Sequence, residues 1–289
     1  MPKKNISQED IVGRWLVKKW RIWRVRAGAE GMKMLNNMAF LVLIILVSQI
    51  ARVVKAGEKN GGQEFVEPIA IEETCPNDVG EYDIRLGVES WRNDSKDTDT
   101  RIAPRAQFFF GIIERVSGDI NVPYLFREEK TEAENGIGDI GFGLKWLLAR
   151  HTQDAPALVL GAEVDIATGD EKKELGEGKT EYGVYVASLK QFGSIVVQGN
   201  AAYSTVFAGE DIRVIEHALS AAFPLGRQWH FFTEYFGSWN WEDHESRLYL
   251  SPGIRRSVTK EIFFSVGLPV GMTTKSDDYG IILQAQYGF

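Results

Sequence analysis

The residues best suited to chemistry are four histidines: His151, His217, His230 and His244. None lies in an HExxH pattern, and the single cysteine, Cys75, excludes a CxxC pair and an intrachain disulfide. A lipid-active enzyme would need a serine, a histidine and an orienting Asn or Asp within reach of one another, and neither His217 nor His230 has a recognisable serine motif. The acidic loop EDHE at 242–245 could hold a divalent cation or bridge lipopolysaccharide through cations, although a solvated loop explains it better than either. We therefore predict no catalytic residues, no metal site and no cofactor.

Charge is distributed unevenly along the chain. The first 56 residues contain eleven of the 33 basic and three of the 40 acidic side chains, which leaves 22 basic and 37 acidic residues in the rest. Nucleic acid binding requires cationic neighbours for the phosphates, so the acidic body excludes nucleic acid as a partner. Cations or cationic solutes remain compatible with it.

Apolar and polar residues alternate from residue 82 to the last residue, in segments of about ten separated by turn residues. The clearest segment, 138–148, places Ile140 and Leu144 on one face and Lys145 on the other. The even number of about twelve segments matches bacterial single-chain outer-membrane barrels. The segments cover approximately 82–89, 102–112, 119–126, 138–148, 157–167, 180–190, 195–206, 213–224, 229–239, 246–257, 261–270 and 279–289.

Alternation alone also suits a soluble sandwich or a lipocalin-like barrel. Large apolar residues occupy one face, while glycine and charge occupy the other, and the second face is the more natural lining for a wet lumen. We therefore predict an all-β, transmembrane, antiparallel up-and-down β-barrel of about 12 strands. Candidate lumen residues share the charged face, where they contact a solute or form ion pairs that brace the wall: Arg85, Glu89, Arg105, Gln107, Lys145, Glu163, Asp165, Glu234 and Arg247.

The connections between segments and the aromatic residues fit the same prediction. Every second connection is mostly short, and the others are mostly longer and rich in charge, as in barrels with short periplasmic turns and long outer loops. Tryptophan and tyrosine favour the membrane–water interface, so they indicate aromatic girdles, with core aromatics of a soluble sandwich as the alternative. The girdle candidates are Trp91, Trp146, Trp229, Trp239, Trp241, Tyr124, Tyr235 and Tyr249.

The N-terminal region has the pattern of an export signal. Basic residues precede a run of about a dozen apolar residues at 38–50, which is too short to span a bilayer. Residues 1–56 are therefore predicted to be a signal peptide with a long n-region, whose true start could be Met34 or Met38. An uncleaved inner-membrane anchor is the alternative. We expect 57–80 to be a periplasmic or plug segment, and 81–289 to be the barrel.

Three stretches resemble a known family: GIGDIGFGLKWLL at 136–148, PALVLGAEVDIATGD at 156–170 and LGEG at 175–178. They are similar to the outer-membrane transporter family named for the meta pathway of phenol degradation, except that Ala167 replaces the usual proline. The resemblance covers roughly residues 65–289; it implies a barrel of this size and a transport role, and it brings no catalytic residues.

The glycines of these stretches have structural interpretations. Gly141 and Gly143 are expected on the lumen face, where neighbouring groups need room. Gly169 is expected at a turn position of positive φ, with Asp170 bonded to the local backbone.

These observations favour a passive outer-membrane channel for a small solute that is hydrophobic or aromatic. The alternatives are a non-transporting structural barrel, a lipid-active barrel enzyme and a soluble secreted sandwich. The expected location is the outer membrane of a Gram-negative bacterium. Expected partners are outer-membrane lipid and lipopolysaccharide, the small-molecule solute, and the barrel-assembly machinery, which would read Phe289 at the end of the last alternating segment.

Overall fold

The structure is a computed structural model, and it describes residues 69–70, 74–93, 99–129, 132–206, 212–241 and 244–289. The predicted signal peptide and most of the EDHE loop lie outside these residues. Within the described ranges, no helix is long and apolar enough to cross a membrane.

The described residues form fourteen β-strands and one short 3-10 turn at Glu171–Lys173. Residues of alternating polarity become strands because successive side chains point to opposite faces. The strands are β1 Tyr82–Asn93, β2 Asp99–Ile113, β3 Val116–Glu129, β4 Glu132–Ile137, β5 Ile140–Ala149, β6 Ala157–Ile166, β7 Glu181–Phe192, β8 Ile195–Val206, β9 Ile212–Pro224, β10 Trp229–Asn240, β11 Glu245–Ser257, β12 Ile262–Gly267, β13 Val270–Gly271 and β14 Tyr279–Gly288.

The fourteen described strands form a barrel wall of twelve strands, because two of the wall strands are interrupted. Strands β4 and β5 pair with successive parts of β3, and β12 and β13 pair with successive parts of β11. Each of these pairs is therefore one wall strand, interrupted at 138–139 and at 268–269. The predicted segments 138–148 and 261–270 cover β5 and β12, whereas β4 and both interruptions were not predicted.

The sheet is closed into a barrel. Each wall strand pairs antiparallel with its neighbours in chain order, and β14 pairs with β1 along ten residues of each strand. The seam ends in two backbone bonds between Tyr82 and Phe289, of 3.0 and 2.9 Å. Closure pairs both edges of the wall strands, as a strand protein in lipid requires; of the described strands, β4 pairs on one side only, at the loop end.

The apolar side chains face outward and the charged ones face inward. Leu160 and Leu283 are 41% and 42% exposed on the outer wall, whereas Lys145 and Arg247, on the inner wall, are each 2% exposed. A soluble barrel would show the opposite arrangement. The predicted fold class, an all-β transmembrane barrel, is therefore confirmed.

The two ends of the barrel differ in their connections. At one end, here the turn end, the connections are 114–115, 150–156, 193–194, 225–228 and 258–261. At the other, here the loop end, the fully described connections are 167–180 and 272–278, and the facing ends of β1 and β2, β3 and β4, β8 and β9, and β10 and β11 also lie there. Exposed aromatic side chains lie near both ends, for example Trp146 and Trp229 at the turn end and Trp241 at the loop end.

Candidate functional site

All nine predicted lumen residues lie on the inward row of their strands. Arg85, Glu89, Lys145, Asp165, Glu234 and Arg247 are buried, and Arg105, Gln107 and Glu163 are partly buried. The alternation that identified them also fixes their direction, because the wall buries every second residue. Their contact with a solute stays a prediction.

At mid-height, the segment that precedes β1 crosses the lumen. The Ile69 N–H donates to Oε1 of Glu234 at 2.8 Å, and the Ala70 N–H donates to Oε2 of the same carboxylate at 3.2 Å. The Arg105 guanidinium donates to the Ile69 carbonyl at 3.4 Å and forms a 2.8 Å ion pair with Glu89. Because β2 and β10 lie on nearly opposite sides of the barrel, these hydrogen bonds link opposite parts of its wall through residues 69–70.

The segment then descends toward the turn end. The Thr74 hydroxyl donates to Oε1 of Gln198 on the inner face of β8 at 2.6 Å, and Val79 forms a bridge with Gly111 near the end of β2. Residues 69–70 therefore lie in the middle of the lumen, and residues 74–80 lie toward its turn end.

One sector of the inner wall is apolar and aromatic. Trp91 and Tyr249, predicted to be girdle residues, are instead 1% and 0% exposed and point inward, so that part of the girdle prediction was wrong. Their ring centroids are 5.0 Å apart, and Phe236 stacks on Tyr249 at 5.4 Å. The physical reason is parity: Trp91 shares the inward row of β1 with Arg85 and Glu89. The sector belongs to a cluster that comprises Ile69, Trp91, Ala157, Leu189, Val196, Ala222, Phe232, Phe236, Tyr249 and Ile282.

A charged network closes the loop end beside this sector. Asp277, on the loop after β13, is 1% exposed and accepts from the Arg101 guanidinium at 2.5 Å. It also accepts from the Tyr249 hydroxyl at 3.1 Å and lies 3.7 Å from Arg247. Its backbone N–H donates back to the Tyr249 hydroxyl at 3.0 Å. Loop 272–278 is thereby held inside the barrel mouth.

Toward the turn end, the inner wall of β1, β2 and β5 combines charged side chains with an aromatic ring. The ring of Phe109 has the Arg85 guanidinium 4.6 Å and the Lys145 ammonium 4.8 Å from its centroid, both within cation–π range. A Cβ on Gly143 would overlap the Asp119 carboxylate, which confirms that this glycine makes room on the lumen face.

The histidines do not form a catalytic group. His217 faces the outer wall, with Nε2 3.5 Å from the Tyr235 hydroxyl, and His230 faces inward near the turn end. His151 lies in a turn-end connection, where burial and then Lys190 lower its pKa, and its Nε2 accepts from the Gln191 N–H at 3.2 Å. Across the described ranges, no three His, Cys, Asp or Glu side chains are grouped to hold a metal ion.

A family model described as "Putative MetA-pathway of phenol degradation" matches residues 57–289. The chain belongs to this family. The resemblance seen in the sequence is therefore confirmed. No curated protein matches the chain.

Two solved structures similar to this family member are outer-membrane barrels. The COG4313 outer membrane channel from Pseudomonas putida F1 has a TM-score of 0.64 at 11% identity, over 78% of this chain and all of that one. The NanC porin has a TM-score of 0.52 at 10% identity, over 71% of this chain and 98% of that one. At these identities, the similarity extends to the fold.

The glycine motifs of the family member form one clasp at the loop end. The Asp139 carboxylate accepts from the N–H groups of Gly169 and Glu177 at 2.9 and 2.8 Å. The Thr168 hydroxyl donates to the Gly138 carbonyl at 2.9 Å and accepts from the Ile140 N–H at 3.0 Å. The clasp folds loop 167–180 against the break between β4 and β5.

Two expectations for this loop have different outcomes. Asp170 accepts from the Lys172 N–H at 3.0 Å, so its bond to local backbone is confirmed. The positive φ expected for Gly169 is wrong, since it is not among the positive-φ glycines. Gly169 is required for another reason: a Cβ there would lie 2.7 Å from the Cα of Gly176. Leu175, 3% exposed, packs in the space beside Gly136.

Sequence reasoning missed several inner-wall residues of the family member. Arg101 has the same parity as Arg105 and Gln107, so alternation could have identified it. Asp277 lies in a loop without periodicity, and only the folded structure shows that its carboxylate is directed inward.

Proposed function

We propose that the protein is a passive channel of the bacterial outer membrane for a small solute with an apolar or aromatic part. The observation that carries the proposal is an inner wall that presents both an aromatic surface and charged side chains. Trp91, Phe236 and Tyr249 form the aromatic surface within the lumen, and charged side chains lie both beside it, such as Glu234 and Arg247, and across from it, such as Lys145.

The aromatic surface and the charged side chains have separate roles in this proposal. Apolar surface removed from water stabilises a solute by about 25 cal/mol per Å², so the aromatic surface lowers the free energy of an apolar solute inside the barrel. Charged inner side chains keep the passage hydrated. A solute with one apolar and one polar side would contact both kinds of side chain in passing.

The crossing segment and the two inward loops make the passage narrow. Ile69 is bonded to walls on nearly opposite sides, and Asp277 holds loop 272–278 in the mouth. We expect residues 69–80 to act as a plug that limits conductance. We also expect lipid and lipopolysaccharide to cover the apolar outer wall, and no enzymatic activity to accompany the channel.

The same occlusion favours one other candidate function, a sealed barrel with a structural role. The two functions differ in flux, because a sealed barrel conducts neither ions nor solutes. Single-channel recording and liposome swelling separate them directly.

The experiment uses the full chain, refolded into liposomes, with glycerol and benzyl alcohol as probes. The channel proposal predicts measurable flux of both and a preference for benzyl alcohol. Phe236→Ala, in the inner sector, should reduce that preference. Phe231→Ala, on the outer face of the same strand, is the matched control and should leave it unchanged.

The absence of any flux from protein that migrates as folded before boiling would replace the channel with the sealed barrel. Equal effects of the two phenylalanine variants would remove the aromatic sector from the mechanism. Phe232→Leu provides a milder inner-sector variant if Phe236→Ala does not fold.

We also propose that the assembly machinery recognises the end of β14. Phe289 is 56% exposed on the outer wall and stacks on Tyr82 and Tyr287, with centroids 5.6 and 5.5 Å apart. Phe289→Ser should lower the amount of folded protein in the outer membrane while refolding in detergent is retained. A comparable loss in detergent would indicate a purely structural role at the seam.

A further inference from the structure

Ile69 occupies the middle of the lumen in the way a bound ligand would. Its side chain is 3% exposed and belongs to the aromatic cluster of the inner wall. Its main chain forms hydrogen bonds with wall side chains: its N–H donates to Glu234, and its carbonyl accepts from Arg105. The surrounding wall therefore offers an apolar pocket, an acceptor and a donor to one small group.

We propose that this Ile69 pocket is the solute-binding site of the channel and that the chain's own segment occupies it until solute displaces it. This inference rests on the channel function proposed above. The ligand class is a small neutral compound with a branched aliphatic or aromatic group and an adjacent hydroxyl or amino donor.

The polar groups of the pocket determine that class. Glu234 uses both carboxylate oxygens to accept from two N–H groups, so a displacing ligand must supply a donor. An anionic ligand would be repelled by the same carboxylate. Arg105 is already paired with Glu89 at 2.8 Å, which leaves it suited to a neutral acceptor rather than to a second anion.

The apolar part of the pocket determines the rest of the class. Trp91 and Tyr249 meet edge to face, and Phe236 stacks on Tyr249, so the wall presents both ring edges and ring faces. An aromatic ring gains about 0.5–1.5 kcal/mol from such pairs in addition to burial. A branched aliphatic group fits where the isoleucine side chain now lies.

Ligand and segment cannot share the site. A Cβ on Gly267 would lie 2.5 Å from Cδ1 of Ile69, so the isoleucine side chain already fills the space up to the wall. Binding must therefore displace Ile69, and the apparent affinity is reduced by the fraction of molecules in which the pocket is closed. Shortening Ile69 should raise the affinity.

The test measures equilibrium binding to the full folded chain in detergent, with benzyl alcohol, toluene and benzoate as probes. Ile69→Ala should bind benzyl alcohol about tenfold more tightly than the unsubstituted chain. Toluene, which has no donor, and benzoate, which is anionic, should bind more weakly. Ile281→Ala, on the outer face of β14, is the matched control and should change nothing.

A reversible lock provides a second measurement. Ile69→Cys with Gly267→Cys, in a Cys75→Ser background, places two thiols within reach of a disulfide. Oxidation should abolish binding of benzyl alcohol, and reduction should restore it. Binding that is unaffected by oxidation would overturn the proposal, as would an unchanged affinity in Ile69→Ala or tighter binding of benzoate.

The outcomes for site and channel are distinguishable. Binding that follows these expectations in a barrel without flux would retain the site and remove the channel function. If Ile69→Ala changes neither the flux of benzyl alcohol nor its binding affinity, the channel function is retained and the proposed binding site is removed.

Discussion

Replacing Asp277 with alanine removes the carboxylate that Arg101, Arg247 and Tyr249 share at the loop end. The exposed fractions of Asp277, Arg101 and Arg247 are 1%, 5% and 2%, so water does not screen their charges in the folded protein. Removing one partner from such a buried network leaves the cationic side chains without their shared acceptor.

The magnitude follows from this burial. Breaking a buried ion pair by deleting one partner costs about 3–5 kcal/mol. Both arginines have further interactions besides Asp277, so we expect the lower end, about 3 kcal/mol. That is roughly a hundredfold change in the unfolding equilibrium constant. Loop 272–278 should also leave the mouth, which should raise single-channel conductance.

The assay is urea-induced unfolding of the refolded protein in lipid, followed by tryptophan fluorescence, together with planar-bilayer recording. Asp278→Ala, the adjacent and exposed aspartate, is the matched control and should change stability by less than about 0.5 kcal/mol. Equal effects of the two substitutions, or a loss below about 1 kcal/mol for Asp277→Ala, would refute the reasoning.

Three further substitutions test other parts of the structure. Gly143→Ala should lower the free energy of unfolding in urea by about 1–3 kcal/mol, because its Cβ would overlap a buried carboxylate. In the control Gly183→Ala, the nearest atom to the new Cβ would be 3.7 Å away, so the loss should be less than about 0.5 kcal/mol. Similar losses in the two variants would contradict this steric explanation. Val164→Arg, nearer the middle of the wall on the outer face of β6, should cost about 2–4 kcal/mol, and Leu160→Arg, which is level with Trp146 near the turn end, about 0–1; the reverse order would contradict the assigned depth. Burial lowers the pKa of His151 below 6.5, so as pH falls below that value the unfolded chain binds more protons than the folded one and stability falls. His151→Asn should flatten this decline in urea midpoints measured from about pH 7.5 to about pH 5.

The wall of the barrel could be predicted from the sequence because a strand has a strict period of two. Once Lys145 was assigned to one face, the residues before and after it in the strand, Leu144 and Trp146, had to face the other way. The same rule predicted the inward direction of all nine lumen candidates. Trp91 was assigned to a girdle because tryptophan favours the membrane interface, and that assignment was wrong. The alternation would have placed it correctly, since Trp91 lies two residues after Glu89 in β1 and therefore faces inward as well.

The contents of the barrel could not be predicted in the same way. Loops 167–180 and 272–278 have no periodicity, so the inward direction of Leu175 and Asp277 depends on long-range partners such as Asp139 and Arg101. The interruption at 138–139 has the same origin, because Asp139 accepts backbone N–H groups from a loop 30 and 38 residues further along the chain.

The filled interior explains why the inner row contains both charge and large aromatic rings. A fully aqueous pore would favour polar side chains on that row, and a dry core would favour apolar ones. Here the segment at Ile69 brings apolar surface to Trp91 and Tyr249, and it also brings backbone polar groups to Glu234 and Arg105. The inner-wall side chains around Ile69 are therefore matched to the segment that they contact, and displacement of the segment would expose both kinds of surface to a solute at once.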